Sequence, residues 1–293
     1  MRIRTTQFQQ ACTTIFVLQL CFFAMPACAS TNCQESYAQH AAGQTEVPSS
    51  NVSRICVAEG EYEITTENGI GPFTPAVYGF RESWTLWRLP DGSFEVTGAR
   101  NYRSPSTDPH NNEFDVRLTP DFKMRNLTEF RKLEWRSDSG PITCDFFPRK
   151  IYCTSNAKHS DNVTLDLPMD NAFGFLWPIS AFSLGSITRA ASHDPGTLTP
   201  VDLIRVEEAS VSDPIMATVL SGHLKYLGQE QLQLAGRTWQ ADKFELKVPL
   251  HAAFSLWTSP EGLLLAFGTE SKTRTLPADA LVLVRFHQWA DWR

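Results

Sequence analysis

The 293-residue chain has no G-x-S-x-G elbow, no C-x-x-C pair, no H-x-x-x-H or H-x-H spacing and no clustered run of Lys and Arg. Each absence removes a class. Without the elbow there is no footprint of the strand-turn-helix that presents a nucleophilic serine. His40, His110, His159, His193, His223, His251 and His287 stand singly, so zinc chemistry has no scaffold. Binding to nucleic acid needs a concentrated basic patch, and here 26 basic side chains are scattered among 32 acidic ones for a formal charge of −6. Sixteen Gly and 18 Pro in no fixed period exclude collagen-like and low-complexity chains and point to many turns joining short elements.

Of what is present, the amino terminus is the most legible. Arg2 and Arg4, with no acidic residue before Glu35, precede an apolar run from Ile15 to Met25, and Ala27-Cys28-Ala29 places small residues where a signal peptidase reads. Residues 1–29 are therefore expected to be a signal peptide cut before Ser30. The run is about half the roughly 20 residues a membrane-spanning helix needs, and Gln19 interrupts it, which argues against an anchor. Lipid attachment at Cys28 is the third reading, with Met25-Pro26-Ala27 a poor approach to it. Loss of Arg2 and Arg4 lowers the 26 basic side chains to 24 against 32 acidic ones, a formal charge of −8. The mature chain is expected to be periplasmic or secreted, with no transmembrane span.

Cleavage also removes Cys12, Cys21 and Cys28, leaving Cys33, Cys56, Cys144 and Cys153. An even count in an exported chain reads as two disulfides. Residues 142–153 pattern as two strands about Pro148-Arg149, and a four-residue loop from Phe147 to Lys150 sets Cys144 opposite Cys153, which leaves Cys33 for Cys56. The chain-entropy model assigns about 2.7 kcal/mol to the shorter loop and about 3.4 to the longer.

After a polar lead-in over residues 30–53, a two-residue period dominates. Phe114, Val116 and Leu118 alternate with Asp115, Arg117 and Thr119; Phe244, Leu246 and Val248 alternate with Glu245 and Lys247. Turn formers at Pro90-Asp91-Gly92, Pro120-Asp121, Pro148-Arg149, Ala235-Gly236 and Pro260-Glu261-Gly262 fall between such runs, as antiparallel hairpins require. The apolar run Leu281–Val284 reads as a strand covered on both faces. Residues 84–96 align with 254–266 at a spacing of 170, with Leu, Trp, Pro and Gly identical. Duplication and two unrelated aromatic hairpins with one turn type both account for that match. The segment from Asp170 to Ser186 is too densely aromatic for one strand face, and Pro178 suits the first turn of a short helix running to Gly185. The turn-rich Ser192–Gly196 marks a boundary, giving an N-terminal β-rich lobe over 30–187 and a C-terminal one over 188–293.

Weaker signals point elsewhere. Ser155-Asn156-Ala157-Lys158 fits S-x-x-K but lies in a polar stretch after a hairpin. Asp108, His110, Asn111, Asn112, Glu113 and Asp115 gather oxygen ligands, yet the segment lacks the glycine and terminal glutamate of an EF-hand and reads as an ordinary loop. Glu59-Glu61 and Glu207-Glu208 are paired carboxylates of the kind sugar chemistry uses, although adjacent acids in strands normally point to opposite faces or into water. Asn51, Asn126 and Asn162 carry the Asn-x-Ser/Thr pattern, which matters only in a glycosylating host. No cofactor and no metal is indicated. Eight Trp and 19 Phe are the most distinctive feature. Such aromatic area either lines an apolar cavity or a groove, or fills the concave side of a curved sheet.

Tyr226-Leu227-Gly228-Gln229-Glu230, then Ala235-Gly236, Lys243-Phe244-Glu245 and Leu256-Trp257-Thr258-Ser259-Pro260-Glu261-Gly262 resemble the signature stretch of a family of uncharacterised exported bacterial β-rich proteins. In that family a Gly-x-Glu strand leads through a Gly turn into a Lys-Phe/Val-Glu strand and a hairpin. The likeness covers residues 215–268. It implies strongly curved antiparallel sheets similar to the half-barrels that carry lipoproteins or lipids, and it brings no catalytic residue.

The expectation is thus an all-β fold of curved antiparallel sheets or half-barrels with one or two short helices. Its expected role is non-catalytic: binding a lipid or other apolar or amphipathic ligand, or an envelope protein partner, on an aromatic concave face. Trp84, Trp87, Phe175, Trp177, Phe254 and Trp257 are the candidate ligand-binding residues. A structural or protein-interaction module and a hydrolase with a non-obvious site are the alternatives. An outer-membrane barrel would need longer strands with one wholly apolar face, unlike the charged 114–119.

Overall fold

The computed structural model describes Cys33 and residues 54–64, 78–104, 107–121, 123–133, 142–147, 150–155, 162–166, 172–175, 181–208, 215–249, 253–269 and 280–291. In chain order the strands are β1 (Ile55–Ile64), β2 (Tyr78–Arg88), β3 (Phe94–Ser104), β4 (Thr107–Leu118), β5 (Met124–Leu133), β6 (Ile142–Phe147), β7 (Lys150–Ser155), β8 (Asn162–Asp166) and β9 (Ala172–Phe175). A helix α1 (Ala181–Ser186) and a 3-10 turn η1 (Ile187–Ala190) follow. The remaining strands are β10 (Leu198–Glu208), β11 (Ile215–Leu234), β12 (Arg237–Lys247), β13 (Phe254–Thr258), β14 (Leu264–Thr269) and β15 (Leu281–Gln288).

These fifteen strands form one sheet ordered β8-β7-β6-β5-β4-β3-β2-β1-β15-β14-β13-β12-β11-β10-β9. Each neighbour pair is antiparallel except β9 with β10. The sheet curls until β8, at one edge, comes against β11 near the other. The first strand lies beside the last: Glu59 is opposite His287 and Gly60 opposite Phe286. The boundary expected between residues 187 and 188 falls inside η1, and strands from both sides of it share the sheet. Among the described residues no helix is long and apolar enough to cross a membrane.

The alternating pattern buries the side chains it marks. Phe114, Val116 and Leu118 are buried in β4 while Glu113 and Arg117 are exposed; Phe244, Leu246 and Val248 are likewise buried. Leu281, Val282 and Leu283 are buried in succession, since β15 is flanked by β1 and β14 and covered on both faces. Cys144 pairs with Cys153 across β6 and β7, with Cα atoms 4.1 Å apart. Phe147 and Lys150 are themselves paired, so the connection is two residues long instead of four, with the register unchanged. Cys33 lies at disulfide distance from Cys56, Cα to Cα 5.4 Å.

Two readings need correction. Residues 108–115, expected as a loop, run through β4, paired with β3 and β5; a strand rich in polar residues is one that composition alone confuses with a loop. The helix expected from Pro178 begins at Ala181, and Ala172–Phe175 before it forms β9, a short parallel edge strand whose dense aromatics hide any period of two. Asn156, Ala157, Lys158 and Pro178 lie outside the described residues.

The inner face, candidate functional site

Register places Trp84, Leu86, Phe94, Val96, Phe114 and Val116 on one face of β2, β3 and β4, and continues that face through Tyr62 of β1. Two glycines make room for its rings. A Cβ at Gly60 would sit 2.3 Å from the Trp84 ring, and one at Gly98 the same distance from the Phe114 ring. This inner face is covered by α1. Phe182 packs on Trp84 with ring centroids 4.9 Å apart, and Leu184 and Ile187 are buried with it. The helix comes so near the β13–β14 turn that a Cβ on Gly185 would lie 2.5 Å from the Gly262 carbonyl oxygen. Only glycine permits that approach.

Charge is buried among these rings. Glu82 and Arg100, both fully buried, form an ion pair with Nε 3.5 Å from Oε2. Glu82 Oε1 also accepts from the backbone N–H of Phe182 at 3.3 Å, which ties the start of α1 to the sheet. Tyr62 donates to the Leu264 carbonyl at 3.0 Å; burial, and then the Glu82 charge, hold its phenol well above the usual range. The indole N–H of Trp84, 2% exposed, finds no acceptor among the described residues. A buried donor left without a partner costs about 1–3 kcal/mol, which makes it a mark of a site as much as of a core.

A second cluster lies where the loop after η1 meets β11 and β12, among the residues of the family resemblance. Gly228, at φ 115°, makes a bulge that leaves Leu227 without a cross-strand partner and shifts the register between Tyr226 and Gly228. Asp242, almost fully buried, accepts from Gln229 Nε2 at 2.9 Å and from the Tyr226 hydroxyl at 3.3 Å. Burial, and then the Asp242 charge, raise the Tyr226 phenol. His193 stands on the rings of Tyr226 and Phe244, at 5.1 and 5.5 Å, with Nε2 3.5 Å from Asp242 Oδ2. Across the sheet, Glu230 accepts from the Trp257 indole N–H, and Lys243 Nζ lies 4.8 Å over the Trp257 ring.

The opposite face is polar. Cys56, Trp87, Glu95, Arg117, Asn126 and Asp145 form one register row across β1 to β6. Glu95 is held by Arg54 at 2.5 Å and Arg117 at 3.6 Å. Glu59 and Glu61, two residues apart, share this face; Glu61 is taken up by Arg81 and Arg285, while Glu59 Oε2 accepts no hydrogen bond among the described residues. Asp115 is pushed up to about 6 by burial and by the Glu95 charge. Among the described residues no group of three or more His, Cys, Asp and Glu side chains is placed to hold a metal ion.

Of the six aromatic candidates, the four whose side chains are described do not gather at one open surface. Trp84 and Phe254 lie in the core on the inner face, Trp257 is fully buried beside Lys243, and Trp87 packs with Cys33, Cys56 and Trp289 on the opposite face. The side chain of Phe175, and Trp177 altogether, lie outside the described residues. Sequence reasoning missed Glu82, Arg100, Asp242 and the partnership of His193. Asp242 had a visible signal in its place next to Lys243-Phe244-Glu245, and His193 only in the turn-rich Ser192–Gly196.

No protein-family model matches the chain, and no curated protein does. Among solved structures it is similar to a β-barrel-like protein of the domain of unknown function DUF1849 from Brucella abortus, at 8% identity and a TM-score of 0.48 over 80% of this chain and 98% of that one. It is also similar to a DUF1089 family protein from Pseudomonas aeruginosa, at 13% identity and a TM-score of 0.39 over 67% of this chain and 92% of that one.

Proposed function

We propose that this is an exported, non-catalytic protein of the cell envelope that takes an apolar or amphipathic molecule on its inner face, in the space α1 fills. One observation carries the reading. The aromatic face is covered by a short helical segment instead of a second sheet, and beneath it lies the Trp84 N–H with no acceptor among the described residues. An acyl chain offers the contacts that Phe182, Leu184 and Ile187 now make, and a carbonyl or carboxylate headgroup would accept from the indole. Export is supported by the leader-like residues 1–29 and by the two cysteine pairs at disulfide distance, an arrangement that persists in oxidising compartments.

Titration of the purified mature chain with a fluorescent long-chain fatty acid tests the proposal. Saturable 1:1 binding is expected, weakened about five- to ten-fold by Trp84→Phe, which keeps the ring and loses the donor. No binding by any acyl probe, with native and denatured masses equal, sinks it.

The second reading, a protein-interaction module, is favoured by the filling of the inner face: Trp84 and Phe254 are at most 7% exposed. It predicts no small-molecule adduct and no response to acyl probes.

A further inference from the structure

We propose that α1 and η1 form a lid over the inner face, kept shut by a clasp in which His193 docks on Tyr226, Phe244 and Asp242. The inference rests on the reading of the inner face as a ligand site, since it names what controls entry. Three observations converge on it.

A six-residue helix has no stability of its own, so α1 stays in place only through what it touches. The ties described are non-covalent. Besides its apolar side chains they include the Phe182 N–H to Glu82, the Thr188 hydroxyl to Thr258 at 3.2 Å, the charge of Arg189 near Asp121 and Glu261, and the close backbone approach at Gly185.

The loop beyond η1 is built as a stiff arm. Ser192 N–H donates to Thr199 Oγ1 at 2.9 Å, Asp194 N–H to Ser192 Oγ at 3.1 Å, and Thr197 N–H to the Asp194 carbonyl at 3.1 Å. These bonds fold the arm on itself and present His193 at its end.

The receiving surface is pre-formed. Asp242 is already oriented by Tyr226 and Gln229, and the Tyr226 and Phe244 rings lie 5.3 Å apart beneath the imidazole. His193 itself keeps half of its side chain exposed, so undocking it leaves no cavity in the core. A contact that fixes a loop from outside, onto a seat that exists without it, can be released without unfolding the sheet. The signature stretch, Tyr226 through Phe244, thus supplies the seat of the clasp.

Amide hydrogen exchange on the full mature chain with its disulfides intact tests the clasp without any ligand. His193→Ala should speed exchange of the amides over residues 182–190 about ten-fold or more and leave those of β11 and β12 unchanged. Gly185→Ala, which pushes the helix away from Gly262, should speed the same amides by a separate route. A Thr188→Cys/Thr258→Cys pair, once oxidised, should slow them and abolish uptake of a fluorescent fatty acid that the parent chain binds. Unchanged exchange over 182–190 in His193→Ala overturns the clasp. Faster exchange in His193→Ala and Gly185→Ala, slower exchange in the oxidised cysteine pair, and no uptake of the fatty acid by any form support the clasp and overturn only the ligand reading on which its purpose rests.

Discussion

Residues 84–96 and 254–266 share Leu, Trp, Pro and Gly at equivalent positions and close the same kind of turn, though the second hairpin carries a bulge at Trp257 that the first lacks, and the two are held in place by different parts of the molecule. Their turns are nearly superimposable in hydrogen bonding. Leu89 N–H donates to Ser93 at 2.8 Å and Gly92 N–H to Leu89 at 3.0 Å; Ser259 N–H donates to Leu263 at 2.9 Å and Gly262 N–H to Ser259 at 2.8 Å. Gly92 and Gly262 adopt φ of 80° and 82°. Both hairpins also set a cation over the equivalent indole, Arg54 at 4.2 Å from Trp87 and Lys243 at 4.8 Å from Trp257. The difference lies in what closes the outer side. Trp87 is roofed by Cys33, Cys56 and Trp289, whereas Trp257 is fully buried and bonded to Glu230 of β11. Local sequence therefore decides the turn and the strand faces, and distant segments decide how deeply the same tryptophan is buried.

Substituting the paired tryptophans sharpens this contrast most. Trp257→Ala is expected to cost about 5 kcal/mol and Trp87→Ala about 3, because the Trp257 indole donates to the Glu230 carboxylate, whereas that of Trp87 donates to the neutral Thr97 hydroxyl. Urea unfolding of both variants checks the order, and equal losses would make the two surroundings equivalent. Replacing Cys33 and Cys56 together by serine should cost about 2–3 kcal/mol and change the fluorescence of Trp87 while leaving the Trp257 hairpin untouched.

The turns themselves come next. Alanine at Gly92 meets only the left-handed backbone penalty, about 1–2 kcal/mol, since nothing lies nearer than Pro120 at 4.0 Å. At Gly262 the new Cβ would also fall 2.4 Å from Arg189 Cγ, so Gly262→Ala should lose more and loosen η1; thermal melts of the two read the difference. The smallest effect concerns pH. Asp115, beside the first hairpin, titrates at about 6 when folded, above the unfolded value of about 3.9. The folded chain therefore holds an extra proton between those values, and stability falls as pH rises from about 4 to 6. Asp115→Asn should gain about 1 kcal/mol at pH 7.5, after allowing for solvent screening, and nothing at pH 3.5, by urea unfolding at each pH.

The same contrast explains what could be read without a structure. Hairpin turns, the Cys144–Cys153 register and the faces of β4 and β12 depend on residues a few positions apart, and alternation and turn chemistry encode them. The pairing of β1 with β15, the burial of Glu82 with Arg100 and the seating of His193 on Asp242 join residues far apart in the chain, and no local period reports them. Aromatic content alone marks no face: of the candidates, Trp84 and Phe254 lie on the inner side and Trp87 and Trp257 on the other. It could not tell a face left open from one that the chain covers with its own Phe182. The polar stretch 108–115 misled for the converse reason: a strand rich in polar residues has the composition of a loop.

The seating of β1 against β15 has a consequence for how the molecule is made. The first strand synthesised waits for the last before its second ladder can form, so one edge of β1 stays unpaired until the carboxyl end has emerged. Long-range pairing of this kind is slow. Hairpins between the two ends can close first, so the zipping of β1 to β15 is the late step that completes the sheet.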